Sequence, residues 1–460
     1  MYQDLSFMNI PLPEDVLKLK IYGDYAGAQK MIRYFLEEKD IPQALRKRLE
    51  IEQEVIGVMG GNEYPFTYDE ALEIMMSHLR DFKKEELDYL KEISAADWIY
   101  INGEVHFQRR FYENLIKTRP DFAKRVIAEN PEDEKQNNLN QKLLNENIHY
   151  MKERGGRTVH TRIRSTIKAK KEFEEVGRKV RVHLPIPKVY GQVSNVEINA
   201  SSPEITYIAP FDAPQRTVYF ETELEADQEF MVDYSFDYHV NYVELDPAKV
   251  SEKQPDFFLE EQAPHIVFTP YLRELRDELA GDETNPIILA RRFYDFVTTK
   301  VMYSFMREYF TIECIPEYCA INLKGDCGVQ ALLFITLCRM SQIPARWQSG
   351  LYVTKYYTGC HDWAQFYVAP YGWVFADPSF GGSAWRAGEK ERWNYYFGNL
   401  DIFRMPANSE IQKEFMPEKK WLRIDPIDNQ RGEFEYEDHG LRFSQVDVSQ
   451  ELISMEDIEK

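Results

Sequence analysis

"KGDCGVQALLFITLCRMSQIPARWQSG", residues 324–350, sets one cysteine between glycines at the head of an apolar run. Asp326 and Cys327 precede Gly328, and Val329 to Leu337 then contain almost nothing polar. Apolar residues all round a helix mean burial on every side, so the stretch predicts a central, buried helix beginning at Cys327. Pro344 cannot continue a helix, and "ARWQSGLYV" from Ala345 reads as a strand.

Downstream, "HDWAQFYVAP" and "GWVFADPSF" read as two further strands joined by the short "PYG" connection. So short a link predicts an antiparallel hairpin. It sets His361, near the start of one strand, and Asp377, at the end of the next, at about the same end of the pair. Upstream, "NPIILARRFYDFVTTKV" predicts a helix with Pro286 in its first turn.

The first N–H groups of a helix lack partners and carry partial positive charge. A thiol placed there is expected to ionise about one unit or more below an ordinary thiol, and thiolate is the nucleophile. A nucleophilic cysteine needs a base, and the base needs an orienting group. His361 and Asp377 supply both types, with Asp377 expected to accept the Nδ1–H and leave Nε2 facing Cys327. Read singly, each has a plainer account: a buried free thiol, a satisfied histidine, an Asp-Pro turn. Together on one helix and two adjacent strands they form a catalytic constellation. Asp362 adjoins the histidine but points to the other face of its strand, so Asp377 is the expected partner. Trp347 and Trp363 are expected to line the cleft, and Gly325 and Gly328 to leave room for a substrate.

Residues 324–350 followed by "HDWAQFYVAPYGWVFADPSF", residues 361–380, resemble the core of the transglutaminase-like superfamily, which is similar in turn to papain-like folds. The resemblance spans roughly residues 265–400 and rests on the cysteine helix, "PAR" leading into a strand, H-x-W and G-W-x-x-x-D-P. It implies Cys327 as nucleophile, His361 as general base and acid, and Asp377 as orienter. It further implies an oxyanion hole made partly by the Cys327 backbone N–H, with a second donor upstream, for which Asn322 and Tyr303 are the candidates. The implied activity is cysteine-dependent acyl transfer from an amide through a thioester. Hydrolysis (peptidase, amidase or deamidase) is the expected outcome. The alternatives are transfer to an amine, as in a protein-glutamine gamma-glutamyltransferase, and a non-catalytic scaffold or binding protein. No cofactor is implied, and a protein or peptide is the expected substrate.

Outside this core the pattern changes twice. "KVRVHLPIP", "RTVYFETEL" and above all "FMVDYSFDYHVNY" alternate apolar and polar residues with period two, the mark of half-buried strands. They resemble the β domain that often precedes this core in bacterial members. The N-terminal third reads as helices: Thr67 and Glu70 form a capping-box pattern before Leu72, Met75, Met76, Leu79 and Phe82. Residues 129–175, rich in charge and amide, read as a solvated helical connector. The expected class is α+β: a helical region over 1–177, a sandwich-like antiparallel β domain over 178–252, a papain-like transglutaminase core over 253–410, its central helix packed on an antiparallel sheet, and a C-terminal extension over 411–460 packing on that core.

The 460 residues exceed one ordinary core, and 43% are apolar, enough for several. A net charge of −21 sets aside nucleic acid and anionic membranes as partners. Neither a leader pattern nor a run of membrane-spanning length occurs, so a cytoplasmic protein is expected. Five cysteines without C-x-x-C spacing and nine scattered histidines give no zinc or disulfide framework, and no metal site is expected.

Overall fold

The computed structural model describes residues 4–127 and 131–458. Helices Glu14–Ile21, Tyr25–Glu37 and Gln43–Val58 pack around Val16, Ile32 and Leu49. The capping box at Thr67 is formed, its backbone N–H donating to Glu70 Oε2 at 2.8 Å, and it starts helix Tyr68–His78. Met75 and Leu79 are buried, whereas Met76 faces solvent. Two further helices matter for the site, α1 (Phe111–Thr118) and the long α2 (Pro131–Arg154).

The charged segment expected as a helical connector over 129–175 starts outside the described residues, and only its first part is helical. At Gly156 the chain turns into the 14-residue strand β1 (Gly156–Ala169). The reason lies in its inward positions, which run Val159, Thr161, Ile163, Ser165, Ile167, Ala169. Two hydroxyl residues interrupt the apolar alternation, and the outward face mixes arginine, histidine and lysine with Thr158 and Thr166. The helical region therefore ends more than twenty residues before the boundary expected at 177.

The strands read from period two are present as β2 (Lys179–Pro185), β5 (Thr217–Glu223) and β6 (Phe230–Asn241), with β3 (Val193–Ser202) and β4 (Tyr207–Ile208) between them. Phe230, Val232, Tyr234, Phe236, Tyr238 and Val240 all point inward and pack against Val180, Val182, Leu184, Val218 and Phe220. The opposite face of β6 is covered as well: Asp233 is buried and held by Arg162 at 2.7 Å and Arg164 at 3.0 Å, both on β1. His239 is a surface histidine bonded to Thr158 and Asn241.

The core begins with α3 (Pro270–Ala280), α4 (Pro286–Lys300) and α5 (Ile315–Asn322). Asn285 caps α4, and Pro286 occupies its first turn. Then comes α6 (Cys327–Met340), in which every residue after Cys327 is buried. It packs on an antiparallel sheet ordered β10-β9-β8-β7-β11. These strands are β7 (Ala345–Val353), β8 (Thr358–Val368), β9 (Gly372–Ala376), β10 (Phe397–Gly398) and β11 (Arg404–Asn408), with helix α7 (Pro378–Arg386) after β9. Phe334 of α6 meets Phe366 of β8 edge-on at 5.7 Å, so the even-numbered face of β8 is the face under the helix.

The C-terminal extension does more than pack on the core. Its strand β12 (Glu433–Tyr436) pairs with β2, and β13 (Val446–Asp457) pairs with β1 along nearly its whole length. The sandwich thus consists of sheets β12-β2-β5-β4 and β13-β1-β6-β3, each with one edge drawn from beyond the core. Without β12 and β13, β2 and β1 would each have an open edge, so the β domain is assembled from both sides of the core sequence.

Candidate active site

The β8–β9 hairpin has the register Ala364 opposite Ala376. Asp377 follows directly, at the point where Pro378 starts α7. It reaches back along β8, and Asp377 Oδ2 lies 2.8 Å from His361 Nε2. Its other oxygen accepts the Phe380 N–H at 2.9 Å, so the Asp-Pro turn and the histidine contact use the same carboxylate. Arg404 closes the arrangement, 3.0 Å from Asp377 and bonded to Asp401. Asp377 is fully buried, yet its carboxyl is held below the usual range because His361 and then Arg404 outweigh the desolvation. Burial pushes the His361 imidazole below its ordinary value, with Asp377 opposing. The pair's geometry reverses the expected nitrogen: Nε2 meets Asp377, and Nδ1 is the one left free of it.

Cys327 stands first in α6, as its sequence predicts. Its thiol does not turn to His361; Sγ donates to Asp362 Oδ2 at 3.3 Å. Asp362 does point away from His361, but the face it points into is the one that carries α6. The signal was the parity of Phe366, which fixes that face. Asp362 also accepts from Gln430 Nε2 at 2.5 Å, a residue brought in by the C-terminal extension. Burial raises the Asp362 carboxyl to about 8, with Asp326 adding to the effect. Cys327 is raised well above an ordinary thiol, first by burial, then by Asp362 and Asp326. The direction is opposite to the depression expected from a helix N-terminus: burial first, and then two neighbouring carboxyl groups, raise the thiol instead.

Several other expected site residues lie elsewhere. Asn322 is exposed at the end of α5 and gives its amide to Tyr318 O, the carbonyl one turn back, at 2.8 Å. It is not aimed at Cys327. Trp363 is buried behind the imidazole, stacked on His361 at 6.0 Å and donating to Gln348 at 2.7 Å. Trp347 pairs across from Ala364 on the helix-facing side and borders a separate cavity near Phe258 and Arg339. Neither tryptophan lines the space beside His361, because strand alternation turns both into packed layers. Gly328 makes room for protein rather than substrate: a Cβ there would meet Tyr309 Oη and come within 2.7 Å of Asp362 Oδ2.

Two cavities flank the site. One, of ≈ 370 Å³, is bordered by His361 and Cys360 with Tyr303, Tyr352, Tyr357 and Phe380. The other, of ≈ 490 Å³, lies on the carboxyl side, with Asp326, Asp362, Asp425 and Asp428 among its walls. Tyr303 sits against the thiol's loop, since it pairs with Gly325 in a short parallel bridge. Among the described residues no group of three or more His, Cys, Asp or Glu side chains is arranged to hold a metal ion. No helix among them is long and apolar enough to cross a membrane.

Residues 273–378 match the family model of the transglutaminase-like superfamily. The segment runs from α3 through Cys327 and His361 to Asp377, and the chain carries a transglutaminase-like core of α+β class. No curated protein matches the chain. Among solved structures, a candidate cysteine protease from Cytophaga hutchinsonii aligns with 66% of this chain and 90% of its own, at 14% identity and TM-score 0.37. The periplasmic domain of TgpA from Pseudomonas aeruginosa aligns with 54% of this chain and 95% of its own, at 13% identity and TM-score 0.26.

Proposed function

We propose that the protein is a cysteine-dependent acyl-transfer enzyme that cleaves amide bonds, with Cys327 as nucleophile and the His361–Asp377 pair as its acid–base partner. The observation that carries this reading is the buried pair itself, His361 Nε2 to Asp377 Oδ2 at 2.8 Å, on a hairpin packed beside the cysteine helix. A carboxylate there keeps the proton on Nε2 and leaves Nδ1 to accept one. The match of this segment to the transglutaminase-like superfamily supports the same assignment.

In the reaction, the thiol leaves Asp362 and gives its proton to His361 Nδ1 as Sγ attacks the amide carbonyl. The C–N bond breaks, the imidazolium returns the proton to the departing amine, and an acyl-thioester remains on Cys327. Water then attacks the thioester, His361 takes its proton, and the carboxylic acid is released as the thiol re-forms. The Cys327 N–H at the head of α6 faces the developing oxyanion. Hydrolysis is favoured over transfer to an amine because it requires neither an amine channel nor exclusion of water.

Intact-protein mass spectrometry with glutaminyl peptides, with and without a primary amine, tests the reading. An acyl adduct on Cys327 and a hydrolysed product are expected. An amine-bearing product in place of acid would turn the reading to transamidation. A second reading, a non-catalytic scaffold, draws on the raised thiol; failure of every peptide to acylate Cys327 would favour it.

A further inference from the structure

The N-terminal helical region reaches the site through α1. Asn114 locks the backbone of Phe305 from both sides, accepting its N–H at 2.7 Å and donating to its carbonyl at 2.9 Å. One turn further on, Lys117 extends over the rings of Tyr303 and Phe305, its Nζ 5.3 and 5.0 Å from their centroids. From the opposite side Arg386, the last residue of α7, donates to Val301 O at 3.2 Å. The two cations thus converge on residues 301–305, the segment whose Tyr303 pairs with Gly325, two positions before Cys327. Both border the ≈ 370 Å³ cavity that His361 also borders.

Among the described residues no ion pair takes either side chain, while neighbouring Arg110 is already held by Glu113 at 2.7 Å. Desolvation and the nearby Arg110 lower Lys117 below the usual lysine range; Glu113 opposes this and Arg386 adds to it. Gathering three cations, Arg110, Lys117 and Arg386, around the single carboxylate of Glu113 is unfavourable in any protein. It is conspicuous in a chain of net charge −21, which has acidic side chains to spare. The remaining walls include the rings of Tyr352, Tyr357 and Phe380, the hydroxyl of Ser379 and, from α2, the amides of Asn140 and Gln141. An anion entering here would meet two cations, with amide donors and aromatic rings on the walls around it.

We propose that this cavity selects amide substrates carrying a carboxylate close to the scissile bond, with Lys117 and Arg386 as its seat. The inference rests on the acyl-transfer reading for its consequence in catalysis, but the seat itself is testable without turnover. The catalytic arm compares two p-nitroanilides that differ by one carboxylate close to the scissile bond, N-acetyl-glutamyl and N-acetyl-norvalyl. The glutamyl compound is expected to react on the order of tenfold faster, one charge-assisted contact being worth that much. Lys117→Gln and Arg386→Gln should each shrink the preference, and Lys117→Glu with Arg386→Glu should reverse it. The second arm measures alkylation of Cys327 by iodoacetate and by iodoacetamide. The ratio of anionic to neutral reagent should fall in the same variants, whatever the enzyme turns over. An unchanged ratio in all of them overturns the anion seat even if amides are cleaved. A ratio that falls while neither anilide reacts keeps the seat and counts against acyl transfer. Failure of both reagents to reach Cys327 overturns the seat as well, since the cavity would not communicate with the thiol.

Discussion

Cys327 Sγ lies 3.3 Å from Asp362 Oδ2, so the thiol and the residue following His361 share a hydrogen bond on the helix side of the sheet. The contact holds the thiol protonated and turned from the imidazole. It makes Asp362 a positioning residue for Cys327, tied in turn to Gln430 of the C-terminal extension.

Asp362→Asn removes the charge that most raises Cys327 after burial. At pH 9, where the wild-type carboxyl has passed its value of about 8, the variant thiol is expected to alkylate on the order of tenfold faster. Iodoacetamide rates measured from pH 6 to 10 check this, the midpoint of the variant's profile falling below that of the wild type. Coincident profiles would show that Asp362 does not govern the thiol.

Cys327→Ala is expected to abolish amide cleavage, by on the order of a thousandfold or more, and to leave the fold standing. Asp362 keeps its bond from Gln430, so the lost contact costs about 1 kcal/mol. Steady-state rates and thermal unfolding of the same preparation check both halves. Near-wild-type turnover in this variant refutes the mechanism.

His361→Ala should lose roughly the hundredfold to ten-thousandfold that general acid–base catalysis supplies. Asp377→Asn should lose less, because an amide oxygen still accepts from Nε2. It should nonetheless be the less stable of the two. Arg404 is fully buried between Asp377 and Asp401, and neutralising one partner leaves its charge half compensated, at about 3 kcal/mol. Urea unfolding of both variants beside their rates separates the two effects.

What the sequence made legible follows its periodicities. The apolar run after Cys327, the proline stops and the period-two strands 179–185, 217–223 and 230–241 all state their structure locally. The His361–Asp377 contact was legible as well, because a short hairpin leaves few registers. Strand β1 was not, since Thr161 and Ser165 stand where the core wants apolar side chains. Nor was the completion of both sandwich sheets by strands from the far side of the core sequence, which no local pattern encodes. The thiol's partner lay between these cases. Alternation placed Asp362 opposite His361, and only the packing of Phe334 on Phe366 says that the helix covers that side. The unused nitrogen of His361 depended on which way Asp377 reached, a matter of a few ångströms at a helix cap.

The buried carboxyls around the thiol also set how stability responds to pH. Asp362 and Glu308 are raised to about 8, Glu414 to about 7 and Asp326 to about 6, in each case first by burial. In the unfolded chain such groups lose their protons near pH 4. The folded state therefore binds more protons between about pH 4 and 8, and stability falls as pH rises through that window. The buried His183 and His265 act oppositely on the acid side. Burial lowers both to about 3, so their contribution is present above pH 6.5 and is lost as pH falls from there. Stability is expected to peak on the acid side of neutrality, with the unfolding temperature dropping steadily from pH 6 to 9. Asp362→Asn should flatten that alkaline decline, since an amide has no proton to lose. Thermal unfolding at fixed ionic strength across pH 4–9, for both proteins, checks the slope; a wild-type curve that rises from pH 6 to 9 would mean that these carboxyls are already ionised in the folded protein.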